Sequence, residues 1–126
     1  MNPKLKAEFN KEMQQAREHY DQRDLDQAFA HLERAHILGQ SYIIPHTISH
    51  IWMLRVGWHR GDVREVVGQT FRIIASLIVS RIWVPVGNTG GANVSPLLPM
   101  PVPGDLARIL RDAGRPAAHG EKARSQ

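Results

Sequence analysis

The sequence predicts an all-α domain: two repeat-like antiparallel helical hairpins in a compact four-helix arrangement, followed by a proline- and glycine-rich flap and a short C-terminal helix. Three observations carry this reading. Apolar residues recur at spacings of three and four over four successive segments, the signature of amphipathic helices. Each segment is bounded by residues that start or stop helices. The tight turn expected in the first hairpin, Tyr20-Asp21-Gln22-Arg23-Asp24, is matched in the second by Trp58-His59-Arg60-Gly61-Asp62.

The first helix is expected from Lys4 to about Arg23, with Leu5, Phe9, Met13, Ala16 and Tyr20 forming one apolar stripe on a polar cylinder. Asp24 suits an N-cap, because its carboxylate can accept one of the orphan N–H groups of a helix start. The second helix then runs from Leu25 to about Leu38, burying Leu25, Ala28, Phe29, Leu32 and Ala35, with Gly39 as its stop. Pro45 fits the first turn of a third helix, which reaches Gly57 or His59.

A fourth helix follows Gly61-Asp62 and extends to about Arg81. Its apolar run, Ile73 to Ser80, falls short of the ~20 residues a bilayer span requires. It reads as a buried helix. From Pro85 to Gly104 the chain has no charge and holds five of the eight prolines, so this long connection is expected to lie over the bundle as a flap. Asp105 reads as the cap of a short helix, Leu106 to Ala113, closed by Gly114. Residues 1–114 thus form one domain, with the flap at 84–104 and a disordered tail at 115–126.

Composition narrows the function. The chain of 126 residues suits a single core. It has no cysteine, which removes disulfides, thiolate catalysis and iron–sulfur ligation. The N-terminus lacks the apolar stretch of a secretory signal, so a cytoplasmic location is expected. The net charge of +4 arises from 16 Lys and Arg against 12 Asp and Glu, with no block of like charges, and no nucleic-acid partner is expected. Arg55, His59, Arg60, Arg64, Arg72 and Arg81 with Trp52, Trp58 and Trp83 are spread around the helices, and Trp52 and Trp58 are expected in the core.

The sharpest chemical signal is a cluster of ligand-type residues. His46 and His50 stand at i and i+4, on one face of a helix, and Glu33-Arg34-Ala35-His36 precedes them. If the helices pair as hairpins, His36 comes beside His46 and His50. Imidazole with carboxylate is a ligand set for divalent transition metals: zinc, nickel, cobalt, copper or iron. Glu33-x-x-His36 is also half of a carboxylate-bridged di-iron signature, but Glu65 is followed by Gly68 at +3 and Gln69 at +4, so a mononuclear site fits better. The competing reading makes these histidines caps or interface hydrogen-bonders. His19, His31 and His59 read as solvated, and His119 falls in the tail.

Glu65, Gln69 and Arg72 form a polar stripe on the fourth helix, either its solvent face or a set of inward groups that orient a histidine or bind a ligand. Gly87-Asn88-Thr89-Gly90-Gly91 lacks the Lys-Ser/Thr ending of a P-loop. In a metal-binding domain Asn88, Thr89, Asn93 and Met100 of the flap are placed to contact a ligand. No nucleophile triad or paired catalytic carboxylates stand out, and Ser49 lies on the wrong face to be activated by His50.

Ala16, Tyr20, Asp24, Ala28, Leu32 and Ala35 of the first hairpin resemble the tetratricopeptide repeat, although Arg23 stands where that repeat usually has glycine. The run Leu32 to Gln40, the pair His46 and His50 with Met53-Leu54, and Gly87-Asn88-Thr89-Gly90-Gly91-Ala92 with Pro99-Met100-Pro101 together resemble a family of small bacterial proteins of unknown function. Genes of that family frequently lie near heavy-metal-resistance genes, so the resemblance implies metal handling without naming a metal. The expectation is a domain that binds a divalent transition metal, or a small ligand through it, at His36, His46 and His50 with Glu33. Its rivals are a cofactor-free interaction module with a protein or homodimeric partner and no membrane association, and a small metal-dependent enzyme.

Overall fold

Each hairpin turns on the same backbone hydrogen bonds. At the first turn the Arg23 and Asp24 N–H groups donate to the Tyr20 and His19 carbonyls at 3.0 and 2.9 Å; at the second, Gly61 and Asp62 donate to Trp58 and Gly57 at 3.1 and 3.0 Å. These are Schellman closures, in which a residue in the left-handed region lets the chain reverse after a helix. Asp24 then accepts from the Gln27 N–H at 3.4 Å, and Asp62 from the Glu65 N–H at 3.0 Å, so one carboxylate caps the next helix in each hairpin.

The structure is a computed structural model that describes residues 1–79 and 100–115. Among the described residues there are five helices and no strand: α1 (Pro3–Asp21), α2 (Leu25–Gly39), α3 (Ile43–Arg60), α4 (Val63–Val79) and α5 (Gly104–Asp112). Helix α1 opens on Asn2, whose side chain accepts the Lys4 N–H at 2.8 Å. Its stripe of Leu5, Phe9, Met13, Ala16 and Tyr20 is buried against Ala28, Phe29, Leu32 and Ala35 of α2, as the periodicity predicts. Ile37 and Leu38 continue the core toward Met53 and Val56 of α3, and Leu106, Ala107 and Leu110 lay α5 across α1 and α2. No helix among the described residues is long and apolar enough to cross a membrane.

A buried carboxylate ties three elements together. Glu12 of α1 accepts from Arg34 Nε at 2.9 Å and pairs with His31 Nδ1 at 2.7 Å, and Arg34 reaches on to Asp105 of α5. Asp105 therefore does not cap α5; Pro103 holds that position without a side-chain bond, and Arg34 holds the Asp105 carboxyl below its usual range, the direct hydrogen bond being the main cause. His31 is likewise not a free solvated ring.

Other expectations change in contact with neighbours. Gly39 ends no helix by conformation. It is the last residue of α2, and a Cβ there would lie 2.9 Å from both the Phe9 ring and the Pro45 side chain, so glycine is needed for close packing. Helix α4 is not buried along its apolar run: Phe71 is 64% exposed and Ile78 72% exposed, with Val67, Ile74 and Leu77 also open. Among the described elements α4 packs against α3 alone, which covers one face only. Trp58, expected in the core, is 72% exposed, whereas Trp52 is half-buried and meets the Tyr20 ring edge-on. Arg115, the first residue of the expected tail, lies over the Tyr42 ring and donates to its hydroxyl at 2.9 Å. Residues 116–126 and most of the flap lie outside the described residues.

Candidate metal centre

The link from α2 to α3 sets the site. Helix α2 ends four residues before α3 begins, with the Tyr42 N–H closing on the Gly39 carbonyl at 2.9 Å. The last turn of α2 carries His36, and the first turns of α3 carry His46 and His50. The three imidazoles form a nearly equilateral triangle, with ring centroids 4.8, 4.7 and 4.7 Å apart. Each offers one ligand nitrogen, and these atoms all lie within 4.8 Å of one another. The His46 and His50 Nε2 atoms are 3.0 Å apart. Tetrahedral zinc with nitrogen ligands places them roughly 3.3 Å apart, so the His46–His50 edge is already close to a ligating length.

The opposite side of His50 is fixed by α4. Gln69 Nε2 donates to the Glu65 carboxylate at 2.6 Å, which turns its amide oxygen toward His50 Nδ1 at 2.7 Å. An amide oxygen only accepts, so His50 carries its proton on Nδ1 and keeps the Nε2 lone pair directed at the triangle. This is the arrangement by which a neighbouring group fixes the tautomer and orientation of a ligating imidazole. Gln69 is 0% exposed and Glu65 and Arg72 are buried with it, so the polar stripe of α4 faces inward.

Burial governs the charge of the site. It pushes His46 down to about 4, with the Arg72 guanidinium adding to the effect. His50 falls to about 3, again mainly through burial and then through His46, against an upward pull from the Gln69 hydrogen bond, with Arg72 adding the least. Both rings are neutral at pH 7, as ligands must be. Arg72 is itself lowered by burial, with the charge of Glu65 opposing that shift. His46 Nδ1 is buried and has no hydrogen-bond partner among the described residues.

Of the residues singled out in the sequence, the fold brings together His36, His46 and His50, and sets Gln69 and Arg72 around them. Glu33 is half-buried one turn before His36 and is not part of the three-residue group. Ser49 is buried, but its hydroxyl donates to the His46 carbonyl at 2.7 Å and faces the backbone. Asn88, Thr89 and Asn93 lie outside the described residues. Of the two readings the sequence left open for Glu65, Gln69 and Arg72, the inward one holds, and what the sequence did not show is that Glu65 anchors Gln69 against His50.

One family model, described as a protein of unknown function (DUF3703), matches residues 3–110, a span that contains the triangle and its α4 partners. No curated protein and no solved structure matches the chain.

Proposed function

The chain belongs to the DUF3703 family, whose function is not established, and from that premise we propose that it binds one divalent transition metal ion through His36, His46 and His50. The single observation that carries this reading is the convergence of three imidazoles from two helices, with the outer nitrogen of His50 already held by Gln69 and Glu65. Three imidazole nitrogens suit zinc, nickel, cobalt, copper or iron(II), and the absence of thiolate disfavours the softest metals. Three protein ligands also leave a position for water, for Glu33 or for a small ligand carried on the metal, with Arg72 close by. The corresponding role is holding or sensing a metal in the cytoplasm under metal stress. A metal-dependent hydrolase would use the same site, and turnover is what distinguishes it.

Elemental analysis of untagged protein purified without chelator, followed by calorimetric titration with zinc, nickel, cobalt and copper, tests the reading. Near-stoichiometric binding tighter than about 10 μM, lost in His46→Ala/His50→Ala, is expected; this corresponds to a free energy of roughly 7 kcal/mol. Absence of binding at that strength in the wild type contradicts it.

A second reading, a cofactor-free helical interaction module, draws on the exposed apolar stripes of the two helices of the second hairpin. Ile44, Ile48 and Ile51 on α3 and Val67, Phe71, Ile74 and Ile78 on α4 are exposed at alternating spacings of four and three, the pattern that seats a partner helix. A second copy of the hairpin meets that pattern in kind, and such pairing is indifferent to the histidines.

A further inference from the structure

A cleft of about 470 Å3 opens beside the end of α1, the second half of α3 and the start of α4, lined chiefly by Tyr20, Leu54, Arg55, Trp58, His59 and Val66. It shares no residue with the histidine triangle. Its volume falls within the range of small-molecule sites, and its walls set apolar surface beside one cation, Arg55. The Arg55 guanidinium lies 4.3 Å from the Trp52 ring centroid and 5.4 Å from that of Tyr20. Arg23 stands 5.6 Å from the same Tyr20 ring, and its Nη1 donates to His59 Nδ1 at 3.4 Å. A guanidinium cannot accept, so a neutral His59 has its proton on Nε2, available to a ligand.

Among the described residues, neither Arg23 nor Arg55 has a carboxylate partner, whereas Arg34 and Arg60 each do. Two like charges therefore sit against one aromatic ring with no anion between them. Arg23 is also held in a disfavoured backbone conformation. Its φ is 61°, and it is the one non-glycine residue with positive φ among those described; the equivalent positions closing α3 and α5 are Gly61 at 69° and Gly114 at 70°. Glycine takes that conformation without steric cost, and a side chain does not. The first turn thus keeps an arginine where the second uses glycine, and the charged end of that arginine meets His59 and the Tyr20 ring, two residues that line the cleft. Strain retained at such a point indicates a use for the side chain.

We propose that this cleft binds a small organic anion with a planar apolar body, an aromatic carboxylate or phosphate ester. Its ring lies against the exposed Trp58 indole, and its anionic group meets Arg23 and Arg55. The guanidinium fork matches both carboxylate and phosphate, and stacking of Arg55 on Trp52 and Tyr20 pre-orders it.

The test is a titration of the full chain with phenyl phosphate and with benzoate, read by the tryptophan indole N–H signals and by tryptophan fluorescence. Inorganic phosphate and benzyl alcohol supply the anion and the ring separately. Saturable binding of at least one anionic probe with Kd below about 1 mM is expected, weakened about tenfold or more in Arg55→Gln and in Arg23→Gly. Which probe binds tells carboxylate from phosphate. The Tm of Arg23→Gly should hold or rise, because glycine relieves the turn. His46→Ala/His50→Ala should bind the probe as the wild type does, which separates this site from the metal reading. No saturation by about 10 mM, equal binding by inorganic phosphate or benzyl alcohol, or affinity unchanged in both arginine variants overturns the proposal. A Tm lowered by several degrees in Arg23→Gly would make Arg23 a structural prop and overturn the inference from its strain.

Discussion

His46 and His50 show at the scale of single residues why part of the site was legible in the sequence. A spacing of i and i+4 places two side chains together whatever else the fold does, and a short α2–α3 link adds His36. The polar stripe holding Gln69 was legible as one of two options, inward or solvent-facing, and its contact with His50 was not fixed, because it spans two helices whose mutual rotation no local pattern sets. Gln69 holds the outer nitrogen of His50, and removing it should be felt at the metal. Gln69→Ala frees His50 Nδ1 and should weaken metal binding by about 10–100-fold, whereas Glu65→Gln, which keeps a hydrogen-bonding partner for Gln69, should weaken it less. Equal affinities for wild type and Gln69→Ala by calorimetry would remove that role.

Acid should act on the same two rings. Burial lowers His46 to about 4 and His50 to about 3 in the folded chain, against an ordinary value of 6.5. Between those values the unfolded chain binds more protons than the folded one. The stability these rings supply to the metal-free protein is therefore level above pH 6.5 and lost progressively as pH falls toward 4 and then 3. Urea midpoints measured from about pH 7.5 down to about 4.5 should drop more steeply for the wild type than for His46→Ala/His50→Ala; parallel curves would contradict the assignment.

At the scale of elements, α1 and α2 could be read almost entirely from sequence, since each bears one apolar stripe and each stripe has its partner. Helix α4 shows the limit of that logic. Its residues are apolar on two sides, and sequence reveals that they are apolar but not what covers them. Structure places Glu65, Gln69 and Arg72 on the covered side and Phe71 and Ile74 on the open one, so a polar stripe lies inside and an apolar one outside. The energetic consequence is direct. Leu32→Ala, at a fully buried position, should cost about 2–5 kcal/mol, while Phe71→Ser should stay within about 0.5 kcal/mol of the wild type. Chemical denaturation of the two variants compares them, and a loss at Phe71 as large as that at Leu32 would show that the outer face is covered in solution.

Considered whole, the molecule is two hairpins joined along α2 and α3, and the histidine triangle sits at that seam near the α2–α3 link, with α4 as its backing. The Glu12, Arg34 and Asp105 network lies on the other hairpin and fastens α5. One metal ion at the triangle would bind the end of the first hairpin to the start of the second, so its effect should spread through the seam. Long-range proton–nitrogen NMR of the histidine rings, with and without one equivalent of zinc, reads the triangle itself. The His36, His46 and His50 ring signals should shift together in slow exchange, with His50 ligating through Nε2 and keeping its proton on Nδ1. Histidine spectra unchanged by zinc, or shifts confined to exposed rings such as His59, would contradict metal binding at this seam.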